Sequence, residues 1–195
     1  MDEMDGMHEL DEMRDTKLSI LALCGSLRAG SLNAALLRAA GELAPRDVVL
    51  THHDLRALPL YDDDLEVPPA VTALREAVRA ADAVLLAGPE YNYSISGVLK
   101  NALDWASRPA YRSPFRDKPC AVLSASTSAV GGARAQQHTK TILLGMAAAV
   151  FPWPELLVAS AGAKFDDGQL TDERTRAQLS ELMRGFAAWA CRVRA

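Results

Sequence analysis

From Leu18 onward, unbroken apolar runs alternate with stretches in which apolar positions recur every three or four residues. Leu18–Cys24 is an apolar run without polar alternation, the pattern of a strand covered on both faces. Asp47–Thr51, Asp82–Ala87, Pro119–Ala125 and Leu156–Ala159 are predicted as four further strands. Between them, Asn33–Leu43 places Leu36, Ala39, Ala40 and Leu43 on one helical face, and Val71–Ala80 does the same with Val71, Leu74, Ala77 and Val78. Gly97–Ser107, Gly132–Ala149 and Thr171–Arg192 are predicted as the remaining helices, the last with Leu179, Leu182, Met183, Phe186 and Trp189 at helical spacing.

Strands that alternate with helices imply parallel neighbours joined by right-handed crossovers. The expected fold is α/β: a single doubly wound five-stranded parallel sheet, flavodoxin-like, of strand order 2-1-3-4-5. Neither an internal repeat nor a second domain is apparent, so residues 18–195 are expected to form one domain. In such a sheet, ligands bind at the carboxyl ends of the strands. Three loops fall there: Gly25–Ser31, Gly88–Ser96 and Ser124–Gly132. The first two follow neighbouring strands and should face one crevice.

The loop Gly25-Ser26-Leu27-Arg28-Ala29-Gly30-Ser31-Leu32-Asn33 is neither a G-x-G-x-x-G fingerprint nor a P-loop. It nevertheless has what a phosphate monoester needs: Ser26, Ser31 and Asn33 as donors, the planar charge of Arg28, and a following helix N-terminus. The plainer alternative makes Ser31 an N-cap and Arg28 a solvated loop residue. The strand-loop-helix setting with a second loop beside it favours phosphate.

In the second loop, Pro89, Glu90, Tyr91 and Asn92 offer a stiffened chain, backbone donors and acceptors, and aromatic surface. That suits gripping a flat heterocycle, with Tyr91 or Tyr93 on or beside the ring. No nucleophile stands out, and Glu90 by itself reads as a cap or a solvated carboxylate. Behind it, Val98, Ala102 and Trp105 form an apolar stripe, read as core or subunit interface. The third loop, through Ser124, Ala125 and Ser126, is rich in small residues that let a backbone approach a ligand closely.

Other residues receive plain readings. His52 and His53 are adjacent on a strand and point to opposite faces. His138 falls mid-helix and is expected to be exposed, Cys24 is a small core residue, and the acidic run Asp62–Asp64 is solvated. No metal-ligand set or Ser-His-Asp arrangement is legible.

Charge changes the picture at one place. Residues 1–17 hold seven acids and two bases, a net of −5, which leaves +1 for the rest of a chain whose net charge is −4. Residues 1–17 are therefore read as an acidic, disordered leader, unlike a signal peptide, which would be basic and then apolar. The near-neutral body has no basic face for nucleic acid, and no apolar run approaches the roughly 20 residues that span a bilayer. Three widely spaced cysteines, Cys24, Cys120 and Cys191, fit a reducing cytoplasm.

Leu18 to about Arg192 resembles the NADPH-dependent FMN reductase family, in particular its quinone, chromate and azo-dye reductase branch. The resemblance is carried by Gly25–Asn33, Leu58-Pro59-Leu60-Tyr61-Asp62, Pro89-Glu90-Tyr91-Asn92-Tyr93-Ser94, Gly97–Trp105 and Gly131-Gly132-Ala133-Arg134-Ala135-Gln136, in that order. It implies FMN bound non-covalently on a flavodoxin-like fold. Ser26, Arg28, Ser31 and Asn33 would hold the phosphate, Pro89, Glu90, Tyr91 and Asn92 the ring, and Ser124, Ala125 and Ser126 would lie beside the flavin. It further implies hydride transfer from NADPH or NADH through FMN to a small-molecule electron acceptor: a quinone, azo compound, free flavin or oxidised metal ion. The flavin then carries the chemistry and no catalytic side chain is assigned. Relatives pair near the Gly97–Ser107 helix, so a homodimer or homotetramer is expected.

Two rivals belong to other classes. A non-enzymatic flavodoxin-like electron carrier would show an acidic surface around the flavin, whereas these loops carry Arg28. A phosphoreceiver module would need acids where Cys24-Gly25-Ser26 and Ala87-Gly88-Pro89 stand. Two departures from the family pattern are visible. Ser96 stands where Pro is common, and Ser128 where Gly is common; serine is strained at Ser128 if that position needs a positive φ.

Overall fold

The computed structural model describes residues 17–194. The acidic leader, save Lys17, lies outside the described residues. Ten short or long strands and five helices follow in chain order. They are β1 (Leu18–Cys24), α1 (Leu32–Leu43), β2 (Val48–His53), α2 (Pro69–Ala80), β3 (Ala83–Ala87), β4 (Glu90–Tyr91), β5 (Ser94–Ile95), α3 (Gly97–Ala106), β6 (Pro119–Ala125), α4 (Ala133–Gly145), β7 (Ala149–Val150), β8 (Leu157–Val158), β9 (Phe165–Asp166), β10 (Gln169–Leu170) and α5 (Glu173–Arg194). A 3-10 turn, Ala161–Ala163, precedes β9.

The sheet is parallel, in the order β2-β1-β3-β6-β7, with β8 also on β6. This is the doubly wound order expected. Its two faces are covered separately. On one, Ile20, Ala22, Leu85 and Leu123 meet Leu36, Leu37 and Ala40 of α1 and Leu179, Met183 and Phe186 of α5. On the other, Leu21, Leu23, Val84 and Leu86 meet Leu74 and Val78 of α2, Leu99 and Leu103 of α3, and Leu143 of α4. Continuous burial explains why these strands are apolar throughout. Each such Leu or Phe contributes about 1.5–3 kcal/mol on leaving water.

Two expectations need correction. The fifth position of the sheet is not one strand at Leu156–Ala159. It is shared by β7, which pairs with the start of β6, and β8, which pairs with its end. Pro152 and Pro154 lie between the two and supply no ladder N–H. The helix predicted over Gly132–Ala149 stops at Gly145, because Ala147 turns the chain at φ 59° into β7. Of the two readings of the Val98–Ala102–Trp105 stripe, core or subunit interface, the structure bears out core for Ala102 and Trp105: Trp105 is 2% exposed, and its indole N–H donates to the Pro59 carbonyl at 2.8 Å.

Candidate active site

The ends of β1 and β3 are joined at their tips. Gly25 N–H donates to the Ala87 carbonyl at 2.7 Å, continuing the ladder one step beyond the strands. A Cβ on Gly25 would stand 2.8 Å from Ser96 Oγ and 2.9 Å from Leu99 Cβ, so only glycine lets the first loop approach α3 this closely. Ser96 makes use of that approach. Its hydroxyl donates to the Gly25 carbonyl at 2.7 Å and accepts the Leu99 N–H at 3.3 Å, capping α3 and tying it to the first loop. Proline could not make this link.

Beyond Gly25, Ser31 is the N-cap of α1 and accepts the Ala34 N–H at 3.2 Å. The N–H groups of Leu32 and Asn33 in the same turn have no partner inside the helix. The Asn33 side chain is buried and engaged elsewhere: its amide donates to the Ala125 carbonyl at 3.0 Å, and its oxygen accepts the Ala125 N–H at 2.9 Å. It therefore joins the first loop to the third. Cys24 lies half-buried beneath, and burial pushes its thiol pKa up, against the opposing effect of its hydrogen bonding with Ser26 and Ser31.

The second loop folds as a β-hairpin, with strands too short to show a period in the sequence. β4 and β5 pair only with each other, Glu90 opposite Ile95 and Tyr91 opposite Ser94. Asn92 and Tyr93 form the tip, both left-handed at φ 49° and 66°. Glu90 is a cap, though not of its own element: its carboxylate takes a free first-turn N–H of α4 and is mostly shielded from solvent. One carboxylate oxygen accepts from the Arg134 guanidinium at 2.7 Å and the other from the Arg134 backbone N–H at 3.0 Å. Burial alone raises this carboxyl's pKa, but the hydrogen bonds and charge of Arg134, with the Ala135 N–H, outweigh burial and hold it below the ordinary glutamate value.

In the third loop, Ser124 is fully buried; its hydroxyl donates to the Gly131 carbonyl at 2.6 Å and accepts from Gln136 Nε2 at 2.8 Å. Positive φ falls on Gly131 (67°) and Gly132 (89°), not on Ser128, so the serine there is unstrained. The loop is braced from β8 and the turn after it, by Ser126 N–H on the Val158 carbonyl and Ala161 N–H on the Ser126 carbonyl, at 3.0 and 2.9 Å.

The three loops meet in one crevice of about 160 Å³. Ser26, Arg28, Ser31 and Asn33 line it from the first loop, Pro89, Glu90 and Tyr91 from the second, and Ala125 and Ser126 from the third. Leu32 and Thr127 complete the lining. Asn92, at the hairpin tip, and Ser124, beneath the third loop, are not part of it. A roomier cavity of about 250 Å³ lies among Ser107, Arg108, Tyr111, Arg116 and Met146. It follows the C-terminus of α3, at the sheet edge opposite the three loops. Among the described residues, no cluster of three or more His, Cys, Asp or Glu side chains could hold a metal ion.

A profile of the NADPH-dependent FMN reductase family matches residues 18–163, from β1 to the 3-10 turn, and includes all three loops. The chain belongs to this family. It is 43% identical over 181 residues to an NAD(P)H-dependent FMN reductase of Pseudomonas aeruginosa, a match covering 91% of this chain and 97% of that one. It is 38% identical over 175 residues to a 2-hydroxy-1,4-benzoquinone reductase of a Burkholderia species, covering 88% and 96%. Among solved structures, the flavoenzyme NAD(P)H:(acceptor) oxidoreductase FerB of Paracoccus denitrificans superposes with a TM-score of 0.82 at 35% identity, covering 90% of this chain and 98% of that one. The residue that the sequence reading missed is Arg134. It lies within the family motif Gly131–Gln136, but nothing local in that stretch says that it reaches Glu90, 44 positions earlier.

Proposed function

We propose that this protein is an FMN-dependent NAD(P)H oxidoreductase that passes hydride from NADPH or NADH to a quinone or similar small-molecule acceptor. The observation that carries the reading is the convergence of the three loops at the carboxyl ends of β1, β3 and β6. The donor set of the first loop fits a phosphate monoester: the Ser26 hydroxyl, the Arg28 guanidinium, and the unpaired N–H groups of Leu32 and Asn33 at the positive end of α1. The Asn33 side chain acts indirectly, by fixing the third loop. Pro89, Glu90 and Tyr91 offer backbone groups and an aromatic side to a flat ring, and Ala125 and Ser126 close the opposite wall.

When bound, FMN supplies two-electron chemistry, alternately accepting and giving hydride. The protein's part is to orient the ring, balance the phosphate charge and leave one ring face open to the exchanging nicotinamide and acceptor. That division of work explains a site with no acid-base pair. Family membership favours this enzyme over a non-enzymatic electron carrier, as does the basic Arg28 at the mouth.

A homodimer or homotetramer fits the apolar side chains left open near α3. Leu65 and Val67 are 46% and 45% exposed and share a cavity with Trp105, while Leu60 and Tyr111 are 83% and 89% exposed. A cytoplasmic location is supported by Cys24, Cys120 and Cys191 all being free. Among the described residues, no helix is long and apolar enough to cross a membrane.

Purification should give a yellow protein whose heat-released cofactor contains phosphate but no adenine, and which oxidises NAD(P)H faster when a benzoquinone is added. FAD in the supernatant, or no flavin after reconstitution, overturns the cofactor assignment. Bound FMN that NAD(P)H does not reduce points instead to an electron carrier. Sedimentation at micromolar concentration tests the oligomer, and a monomer of about 21 kDa overturns it.

A further inference from the structure

We propose that Arg134 is a positioning residue for the flavin site: it clamps the β4–β5 hairpin onto α4, so a helix and not the sheet sets the position of the ring-facing backbone. This rests on the reading of Pro89–Tyr91 as the segment that holds the ring.

The hairpin is poorly able to hold itself. It pairs two residues with two, has no partner in the main sheet, and turns through Asn92 and Tyr93 in the left-handed region. An isolated two-stranded ribbon is marginal in water, and a tyrosine at positive φ adds strain that surrounding contacts must hold. Those contacts come from one face of α4. The Arg134 guanidinium donates to Glu90 at 2.7 Å, and the Arg134 N–H donates to the other oxygen of the same carboxylate at 3.0 Å. The same guanidinium lies over the Tyr93 ring, 4.3 Å from its centroid. One turn on, His138 Nδ1 and Ser94 Oγ are hydrogen-bonded at 2.8 Å. Base and tip of the hairpin are thus held by a single side chain, with His138 as a second anchor.

The arrangement has a consequence for the crevice. Gly132, where the third loop ends, is the N-cap of α4, so the clamp fixes the second loop relative to the third. The two walls that would face the flavin move together. The Glu90 side chain is 13% exposed and the Arg134 side chain 44% exposed, so the pair is partly shielded from solvent.

The test compares the full chain with Arg134→Ala, Arg134→Lys, Glu90→Gln and the double variant Glu90→Gln/Arg134→Ala. In the flavin-free protein, hydrogen exchange should quicken at residues 91–95 in Arg134→Ala and stay unchanged in β1 and β3. FMN affinity, read by quenching of flavin fluorescence, should fall roughly five- to thirty-fold for a partly exposed charge-assisted pair. The visible circular dichroism of bound flavin should change, and KM for the acceptor should rise more than kcat falls. Lysine should restore part of this, because it keeps the charge but neither the fork nor the planar face over Tyr93. The double variant should lose little more than either single one.

Wild-type affinity and dichroism in Arg134→Ala, or additive losses in the double variant, overturn the clamp. If Arg134→Ala does not fold, Arg134→Lys and Glu90→Gln decide by the same criteria. If the wild type binds no flavin, the cofactor reading falls, and the exchange data alone decide whether Arg134 holds the hairpin.

Discussion

Asn33 and Ala125 exchange two hydrogen bonds across 92 positions of sequence, at 3.0 and 2.9 Å, and both residues are buried. The side chain imitates a neighbouring strand and closes the end of β6 against the start of α1. In Asn33→Ala, the Ala125 N–H and carbonyl are left buried without partners. Stability of the flavin-free protein should fall by about 2–4 kcal/mol, since each orphaned group costs about 1–3 kcal/mol. Urea unfolding with an unchanged m-value checks this. A loss confined to FMN affinity, with flavin-free stability intact, would return Asn33 to direct phosphate contact.

Arg28 presents the opposite case. Its side chain is exposed at the crevice mouth, in a loop outside the core. Arg28→Ala should leave the flavin-free protein within about 0.5 kcal/mol of wild type. It should weaken FMN binding by about 1.5–3 kcal/mol, the worth of hydrogen bonds to a charged group. Titration of flavin-free protein with FMN, and with riboflavin as the phosphate-free control, separates the two effects. Arg28→Ala with wild-type FMN affinity would make the arginine a bystander.

These two residues mark how far the sequence could be read. β1, β3 and β6 are continuous apolar runs, and their order follows from helical crossovers, so the crevice could be placed before any coordinates. Ser31 as a cap was legible because capping is local. What escaped depends on long-range contacts or on elements too short to have a period. The two hydrogen bonds that occupy the Asn33 side chain were not legible because Ala125 is 92 positions away. Trp105 could be read as core or as interface, because the carbonyl that receives its indole N–H belongs to Pro59, 46 positions earlier. The β4–β5 hairpin has two residues per strand and no alternation to detect. The edge strand was split by prolines whose effect depends on which residues face β6.

Gly132 allows a prediction from backbone geometry. It sits at φ 89°, and a Cβ there would stand 2.8 Å from both Cβ and Oγ of Ser124, which is fully buried. Gly132→Ala should cost about 2–4 kcal/mol, combining a positive φ with overpacking. Gly97 is the control: a Cβ there meets nothing within 4 Å, and its φ is not left-handed. Gly97→Ala should be neutral or stabilise by up to about 1 kcal/mol. Thermal melts of the two flavin-free variants should diverge; equal melts would show that the third loop yields freely to an added methyl.

Acid should release the flavin through Glu90. Its carboxyl lies below the ordinary glutamate value of 4.5 because the Arg134 hydrogen bonds and charge, with the Ala135 N–H, outweigh the effect of burial. A lowered folded-state pKa places the stabilising contribution above the unfolded value, and it is lost as pH falls through the lower folded value. The Glu90–Arg134 contact should therefore be intact from neutral pH down to about pH 4.5 and weaken below it. The other groups facing the hairpin from α4 and its own tip are His138, on Ser94, and the Tyr93 phenol. The FMN phosphate gains a proton near pH 6, above that window. The comparison that isolates Glu90 is the pH dependence of FMN affinity in wild type against Glu90→Gln, between pH 3.5 and 7. Wild type should show an additional loss below pH 4.5 that the glutamine variant lacks, since its amide does not titrate. Parallel curves across that range would mean that the carboxylate charge contributes nothing to holding the hairpin.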